Sequence, residues 1–144
     1  MKEHPDHCVF CKILKGTLPV SLVHEDEHCI AFMDIQPVNA GHVLVIPRVH
    51  APYVQDLDPV VGGHLFQIGM RINAALRKSP LRCEGVNFLM ADGEAAMQEV
   101  FHIHLHVIPR FRQDGFGLRF GDNYFFPPSR KTLDDTASVI RKSL

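Results

Sequence analysis

The sequence predicts an α+β domain in which a mostly antiparallel sheet of five strands packs with one long helix and a second helix near the carboxyl terminus. Two observations carry this expectation. Five short runs rich in β-branched and aliphatic residues, Val20–His24, Cys29–Met33, Val43–Pro47, Val86–Met90 and His102–Ile108, are separated by turns or helix. Between the third and fourth runs lies one long segment with apolar residues at helical period.

That long helix has a readable start. Asp58 is suited to cap it and Pro59 to occupy its first position, and Val61, Leu65, Ile68, Ile72 and Leu76 then recur along one face. Gly62, Gly63 and Gly69 lower its intrinsic stability, so it must lean on tertiary packing. The carboxyl-terminal helix is expected over Leu133–Ser143, with Thr132 as its cap and Asp134 and Asp135 in the first turn, where the helix dipole favours negative charge. Between them, Gln113–Arg130 is rich in Gly, Phe and Pro and is the best candidate for a loop that covers a site. No repeat or low-complexity linker interrupts the chain, so residues 1–144 are expected to form one domain.

Composition narrows the class of function. With 46% hydrophobic and 22% charged residues and a formal net charge of −1, the chain has a globular composition. A sequence pI of about 6.8 argues against a polybasic surface for polymeric nucleic acid or membrane, so a phosphate ligand would need a local site. Met1–His7 lacks the apolar stretch of a signal peptide and no run approaches the length of a membrane span, which makes the cytoplasm the expected location.

The most informative stretch is Phe101-His102-Ile103-His104-Leu105-His106-Val107-Ile108-Pro109-Arg110. Successive side chains of a strand point to opposite faces, so His102, His104 and His106 share one face while Ile103, Leu105 and Val107 enter the core. An ordinary half-buried strand would carry Lys, Thr or Glu outward more cheaply. A row of imidazoles on a rigid apolar base can instead provide a nucleophile, a proton carrier and a metal ligand near neutral pH.

The H-x-H-x-H pattern with aliphatic spacers resembles the histidine triad (HIT) family of nucleotide hydrolases and transferases. The likeness extends upstream through Phe32-Met33-Asp34-Ile35-Gln36-Pro37 and Gly41-His42-Val43-Leu44-Val45-Ile46-Pro47-Arg48-Val49-His50 to cover about residues 8–120, leaving 121–144 as a terminal loop and helix. It implies the HIT-like fold, a homodimer, and attack on the α-phosphate of a purine nucleotide derivative such as a phosphoramidate or dinucleoside polyphosphate, through a nucleotidyl-histidine intermediate. The requirements of the chemistry select His104 as nucleophile, since it is the central member. His106 is placed to contact a phosphate oxygen, and the resemblance assigns His42 a phosphate or orienting role and Gln98 a contact with phosphate or leaving group. Asp34 matches the family's ribose-binding aspartate, against which stands an ordinary turn role before Pro37. Phe10, Phe32 and Leu44 match apolar positions around the purine base. A nucleotide-binding scaffold with little turnover is the alternative function.

Cys8-Val9-Phe10-Cys11, together with His50 and His102, matches the positions at which zinc-carrying, bacterial-type members complete a structural Cys2His2 site. A redox pair or two buried thiols are the other readings of the C-x-x-C. Cys29 and Cys83 read as ordinary reduced cysteines, and His4, His7, His24, His28 and His64 as surface residues. The chain departs from the common family pattern at Glu99, where Ser or Thr is frequent, at Ala91, where Asn is frequent, and at Met97, where Gly is common. An ionised Glu99 can accept but not donate a proton and would repel phosphate.

Overall fold

A computed structural model describes residues 5–144, in which His4 is not included. The elements run α1 (Val9–Leu14), β1 (Leu22–Glu25), β2 (Cys29–Met33), β3 (Val43–Pro47), α2 (Pro59–Lys78), β4 (Gly85–Leu89), β5 (Leu105–Arg110) and α3 (Arg130–Arg141). The five strands form one sheet in the order β1-β2-β3-β5-β4, and every neighbouring pair is antiparallel. The chain divides into two compact units, Met1–Asp114 and Gly115–Leu144.

In the first unit, one face of the sheet is closed by α2. Asp58 caps this helix by accepting from the Val60 N–H at 2.7 Å, and Pro59 occupies the first turn, where its missing N–H costs nothing. Leu65, Ile68, Ile72 and Leu76 are buried against Val43, Val45, Ile103, Leu105 and Val107. Burial of each such side chain contributes about 1.5–3 kcal/mol. Gly69 is part of this packing, because a Cβ there would stand 3.0 Å from Leu105 Cδ2. The glycine that weakens the helix locally therefore lets it approach β5. On the other face Phe10, Phe32, Leu44 and Ile46 form a second apolar cluster with Cys8 and Cys11.

Several expected boundaries move. The first strand is Leu22–Glu25, with an irregularity between Leu22 and His24, and the fourth is Gly85–Leu89. The last begins at Leu105 instead of His102. Ahead of it the Ile103 N–H donates to the Ala51 carbonyl at 2.8 Å, which draws this part of the chain away from ladder pairing. The side-chain alternation nevertheless persists through the non-strand residues, with Ile103 directed into the α2 core. The six-residue α1 was not anticipated.

The connection between β2 and β3 is held at both ends. Asp34 N–H donates to the His42 carbonyl and His42 N–H to the Asn39 carbonyl. Asn39 reaches the Pro109 carbonyl and Asp114, while Arg110 makes paired contacts with the same Asp114 at 2.6 and 2.8 Å. Gly41 turns the chain into β3 with φ +99°, and a Cβ there would meet Leu76 at 2.9 Å, Leu81 at 3.1 Å and Pro109 at 3.3 Å.

The second unit contains a short helical turn at Asp122–Phe125, where Phe120 stacks on Tyr124, followed by α3. Ser129, not Thr132, caps α3 by accepting from the Thr132 N–H at 3.1 Å. The helix consequently begins three residues earlier than the sequence suggests. No helix among the described residues is long and apolar enough to cross a membrane.

Gly41→Ala should destabilise the protein by about 1–3 kcal/mol, because the backbone conformation and the side-chain space both oppose a Cβ. Urea unfolding monitored by circular dichroism measures this, and an unchanged midpoint would contradict the packing described.

Candidate active site and metal centre

The register of β3 against β5 pairs Leu44 with His106 and places His42 at the adjacent end. His42 Nε2 lies 2.9 Å from His106 Nδ1, and the His104 and His106 rings meet with centroids 4.9 Å apart. Phe10 packs edge-on to His104 at 5.2 Å and to Phe32 at 5.7 Å. Phe10, Phe32 and Leu44 are thus buried as an apolar support for the imidazoles.

The hydrogen bonds assign the ring protons. His104 Nδ1 is 2.7 Å from the His102 carbonyl, which can only accept, so Nδ1 carries the proton and Nε2 presents its lone pair. Val38 N–H donates to His42 Nδ1 at 3.1 Å, so a neutral His42 is protonated at Nε2 and donates to His106 Nδ1. Neutral His106 must then carry its proton on Nε2. Burial holds the pKa of His104 and of His42 below the ordinary histidine value. His106 is pushed down to about 4 by burial and by its neighbours His104 and His42. The row is therefore uncharged near neutral pH, with an acceptor nitrogen on His104 and a donor on His106.

Asp34 closes a turn and also faces the histidine row. One oxygen closes a turn by accepting from the Gln36 N–H at 2.8 Å, and the other lies 3.5 Å from His42 Nε2 and 4.0 Å from His106 Nδ1. Beside it, Ile35 is 96% exposed, an apolar surface that sequence periodicity did not single out. Gln98 is engaged by main-chain groups. Its amide donates to the Pro52 and Val100 carbonyls and accepts from Gly93 N–H at 2.7 Å, so the side chain braces its own loop and has no donor directed toward a ligand in this state. In that loop Met97 adopts φ +66°, the left-handed conformation that suits glycine. Glu99 is exposed, and its charge raises the proton affinity of His104, as does that of Asp34.

Cys8, Cys11, His50 and His102 converge from three parts of the chain, their donor atoms all within 4.8 Å of one another. Cys11 Sγ is 3.3 Å from His50 Nδ1, and both sulfurs are 3.6 Å from His102 Nδ1. Tetrahedral zinc with ordinary bond lengths separates sulfur from nitrogen by about 3.5–3.6 Å. The His102 tautomer also fits, since Nε2–H donates to the Pro47 carbonyl at 2.9 Å and leaves Nδ1 free to ligate.

The expectation of a surface role fails for His24 and His64. Both rings are partly buried and direct Nε2 toward one oxygen of Asp26, at 2.9 and 2.8 Å. His64, on α2, is 38 residues from Asp26 in the β1–β2 turn, a proximity with no signature in the sequence. His7 and His28 are exposed as expected.

A sheet bearing neutral, tautomer-fixed imidazoles beside a closed Cys2His2 cluster defines a histidine triad protein. The HIT domain model matches residues 15–113, and the chain belongs to the HIT family. A HIT family protein of Bacillus anthracis is 40% identical, covers 96% of this chain and 98% of its own, and superposes with a TM-score of 0.88. A zinc-bound histidine triad family protein of Mycobacterium smegmatis is also 40% identical, covers 83% of this chain and 86% of its own, and has a TM-score of 0.75. Adenylylsulfatase HINT3 of Arabidopsis thaliana is 36% identical over 108 residues, which is 74% of this chain and 54% of that protein.

Protonation of His106 should weaken the fold. Its native pKa of about 4 lies below the unfolded value of about 6.5, so the unfolded chain binds the extra proton between them. Stability from this group is present above pH 6.5 and is lost as pH falls toward 4, with a slope of at most about 1.4 kcal/mol per pH unit before solvent screening. Urea titrations from pH 7 to 4.5 should show this slope, and His106→Asn should reduce it.

Proposed function

We propose that this protein is a nucleotidyl hydrolase or transferase acting on a purine nucleotide derivative activated at its α-phosphate. The observation that carries the reading is the free Nε2 of His104 on a neutral ring whose Nδ1–H is held by the His102 carbonyl. The Nε2 lone pair attacks the α-phosphorus, the P–N bond forms, and the bond to pyrophosphate, a nucleotide or an amine breaks. The leaving group departs with that bonding pair, as an anion in the case of pyrophosphate or a nucleotide, and with a proton taken from solvent in the case of an amine. The imidazole becomes cationic, and the His102 carbonyl together with the charges of Asp34 and Glu99 stabilises that cation. His106 Nε2–H donates to a phosphate oxygen, with His42 fixing the direction of the donor. Water then attacks phosphorus, the P–N bond breaks, one proton leaves the attacking water, and neutral His104 returns.

Asp34 is the proposed ribose contact. Its Oδ2 accepts sugar hydroxyls while Oδ1 keeps the turn closed. Phe10, Phe32 and Leu44 back the base side of the site, and exposed Ile35 offers a further apolar contact. Cys8, Cys11, His50 and His102 are the proposed zinc ligands. The ion would supply structural closure, clamping α1 to the segment that leads into β5. Gln98 acts in this scheme by bracing the 93–100 loop. The protein is further proposed to work in the cytoplasm as a homodimer.

His104→Ala should lower kcat by about three to five orders of magnitude while leaving nucleotide affinity within a few fold. Assays with adenosine phosphoramidate, diadenosine polyphosphates and nucleotide sugars, alongside calorimetry with adenosine monophosphate, measure both quantities. Binding without product from any of these substrates in the wild type would favour a scaffold, and undiminished turnover in the variant would remove His104 from the mechanism.

Purified protein should contain about one zinc per chain, and Cys11→Ser should lower both the zinc content and the melting temperature. Elemental analysis and differential scanning calorimetry test this. Metal-free protein with Cys8 and Cys11 readily alkylated in the native state would refute the centre.

A further inference from the structure

We propose that Asn39 and Asp114 are positioning residues for the histidine row, fixing the ring protons of His42 and His106 from outside the site. The catalytic consequence rests on the hydrolase reading above, whereas the placement of the protons rests on hydrogen bonds alone. The turn that carries Val38 and Asn39 holds His42 twice. Val38 N–H donates to the ring at Nδ1, 3.1 Å away, and the Asn39 carbonyl accepts the His42 main-chain N–H, also at 3.1 Å. Nothing in the ring itself selects its tautomer. A neutral imidazole can carry its proton on either nitrogen, and the hydrogen bond made by the other nitrogen decides between them. A change in the direction of this turn would therefore remove the donor that keeps His42 Nδ1 free of a proton.

Asn39 ties that turn to β5. Its Nδ2 donates to the Pro109 carbonyl at 2.9 Å and to Asp114 Oδ2 at 2.8 Å, so both amide hydrogens are engaged by acceptors and the amide has one orientation. Pro109 lies three residues beyond His106 on the same strand. The turn beneath His42 is thus anchored to the strand that carries its partner ring, and the 2.9 Å contact from His42 Nε2 to His106 Nδ1 is set within that shared frame.

Asp114 holds the Asn39 amide in place. Its side chain is only 2% exposed and accepts from Arg110 Nε at 2.6 Å and from Arg110 Nη2 at 2.8 Å, a two-point pairing with a fixed geometry. The Phe111 N–H adds a longer contact to the same carboxylate at 3.4 Å. Contacts run in this way from Arg110 through Asp114 and Asn39 to the turn, and from the turn to His42 and His106. His104 stands outside the series, because its Nδ1 proton is held by the His102 carbonyl. Loss of Asn39 or Asp114 should accordingly disturb the proton on His106 that faces a phosphate oxygen and leave the nucleophile's tautomer as it is.

The test uses the full chain labelled with nitrogen-15 at histidine, with NMR at neutral pH reading which ring nitrogens carry protons. Wild type should show Nε2–H on His42 and His106 and Nδ1–H on His104, and a His42 protonated at Nδ1 would overturn the proposal before any substitution is made. Asn39→Ala removes both donors, and Asp114→Asn keeps the side chain's size while replacing one acceptor oxygen by a donor. In each variant His42 and His106 should shift to a mixture of tautomers while His104 keeps the wild-type signature. General loss of structure would move all three rings, so the constant His104 separates positioning from unfolding. Should Asn39→Ala fail to fold, Asp114→Asn, the milder change, carries the same comparison. With adenosine phosphoramidate or a diadenosine polyphosphate as substrate, kcat should fall by about ten- to a hundredfold in both variants and KM should stay within a few fold. If the wild type turns over neither, the hydrolase reading fails and the ring spectra still decide the positioning. Ring spectra identical in wild type and variants would refute it, as would a raised KM with kcat unchanged.

Discussion

The hydrogen bond from His104 Nδ1 to the main-chain carbonyl of His102 is the contact on which the arrangement of the site depends. It fixes the tautomer of His104 and the direction of its free nitrogen. The same two residues tie that nitrogen to the Cys2His2 cluster, because the carbonyl belongs to a residue whose side chain faces both cysteines. The span from the proposed metal ligand His102 to the proposed nucleophile His104 is only two residues long. Displacement of His102 would therefore turn the orienting carbonyl as well as its imidazole.

Burial has opposite consequences in two histidine groups of this fold. In the row of His42, His104 and His106 it removes charge, and the imidazoles become neutral partners held by directed hydrogen bonds. At the β1–β2 turn an ionised carboxylate dominates, and two imidazoles point their donors toward it. The apolar walls explain the first case. Phe10 and the second core cluster surround the row on one face, while α2 seals the opposite face of the same strand.

Short apolar runs made the sheet legible because three of its strands, β2, β3 and β5, bury most of their side chains. β2 and β3 begin and end at the residues expected, and Asp58 and Pro59 announce the start of α2. The start of β5 was less visible, since His102–His104 continue the alternation without continuing the ladder. Alternation reports which face a side chain occupies and is silent about which backbone is paired. The six residues of α1 are too few to display a helical period, and the competing caps Ser129 and Thr132 lie only one turn apart. At the site, the histidine row and the clustering of Cys8, Cys11, His50 and His102 were signalled by motif resemblance. The use of Gln98 did not, because nothing local identifies the Pro52 carbonyl as its partner. The convergence of His24 and His64 on Asp26 needed the packing of α2 against the sheet before it had any meaning.

The commitment of the Gln98 amide to three main-chain groups separates the shape of the 93–100 loop from the chemistry at its surface. Met97 and Glu99 flank that brace with exposed side chains, one of them on a left-handed residue and the other electrostatically linked to His104. Their replacement alters the bulk of the loop surface or the charge felt by His104 while the loop's internal scaffold remains. Such a division lets natural variation reshape the surface of the proposed site through two exposed positions, without rebuilding the sheet or the histidine row.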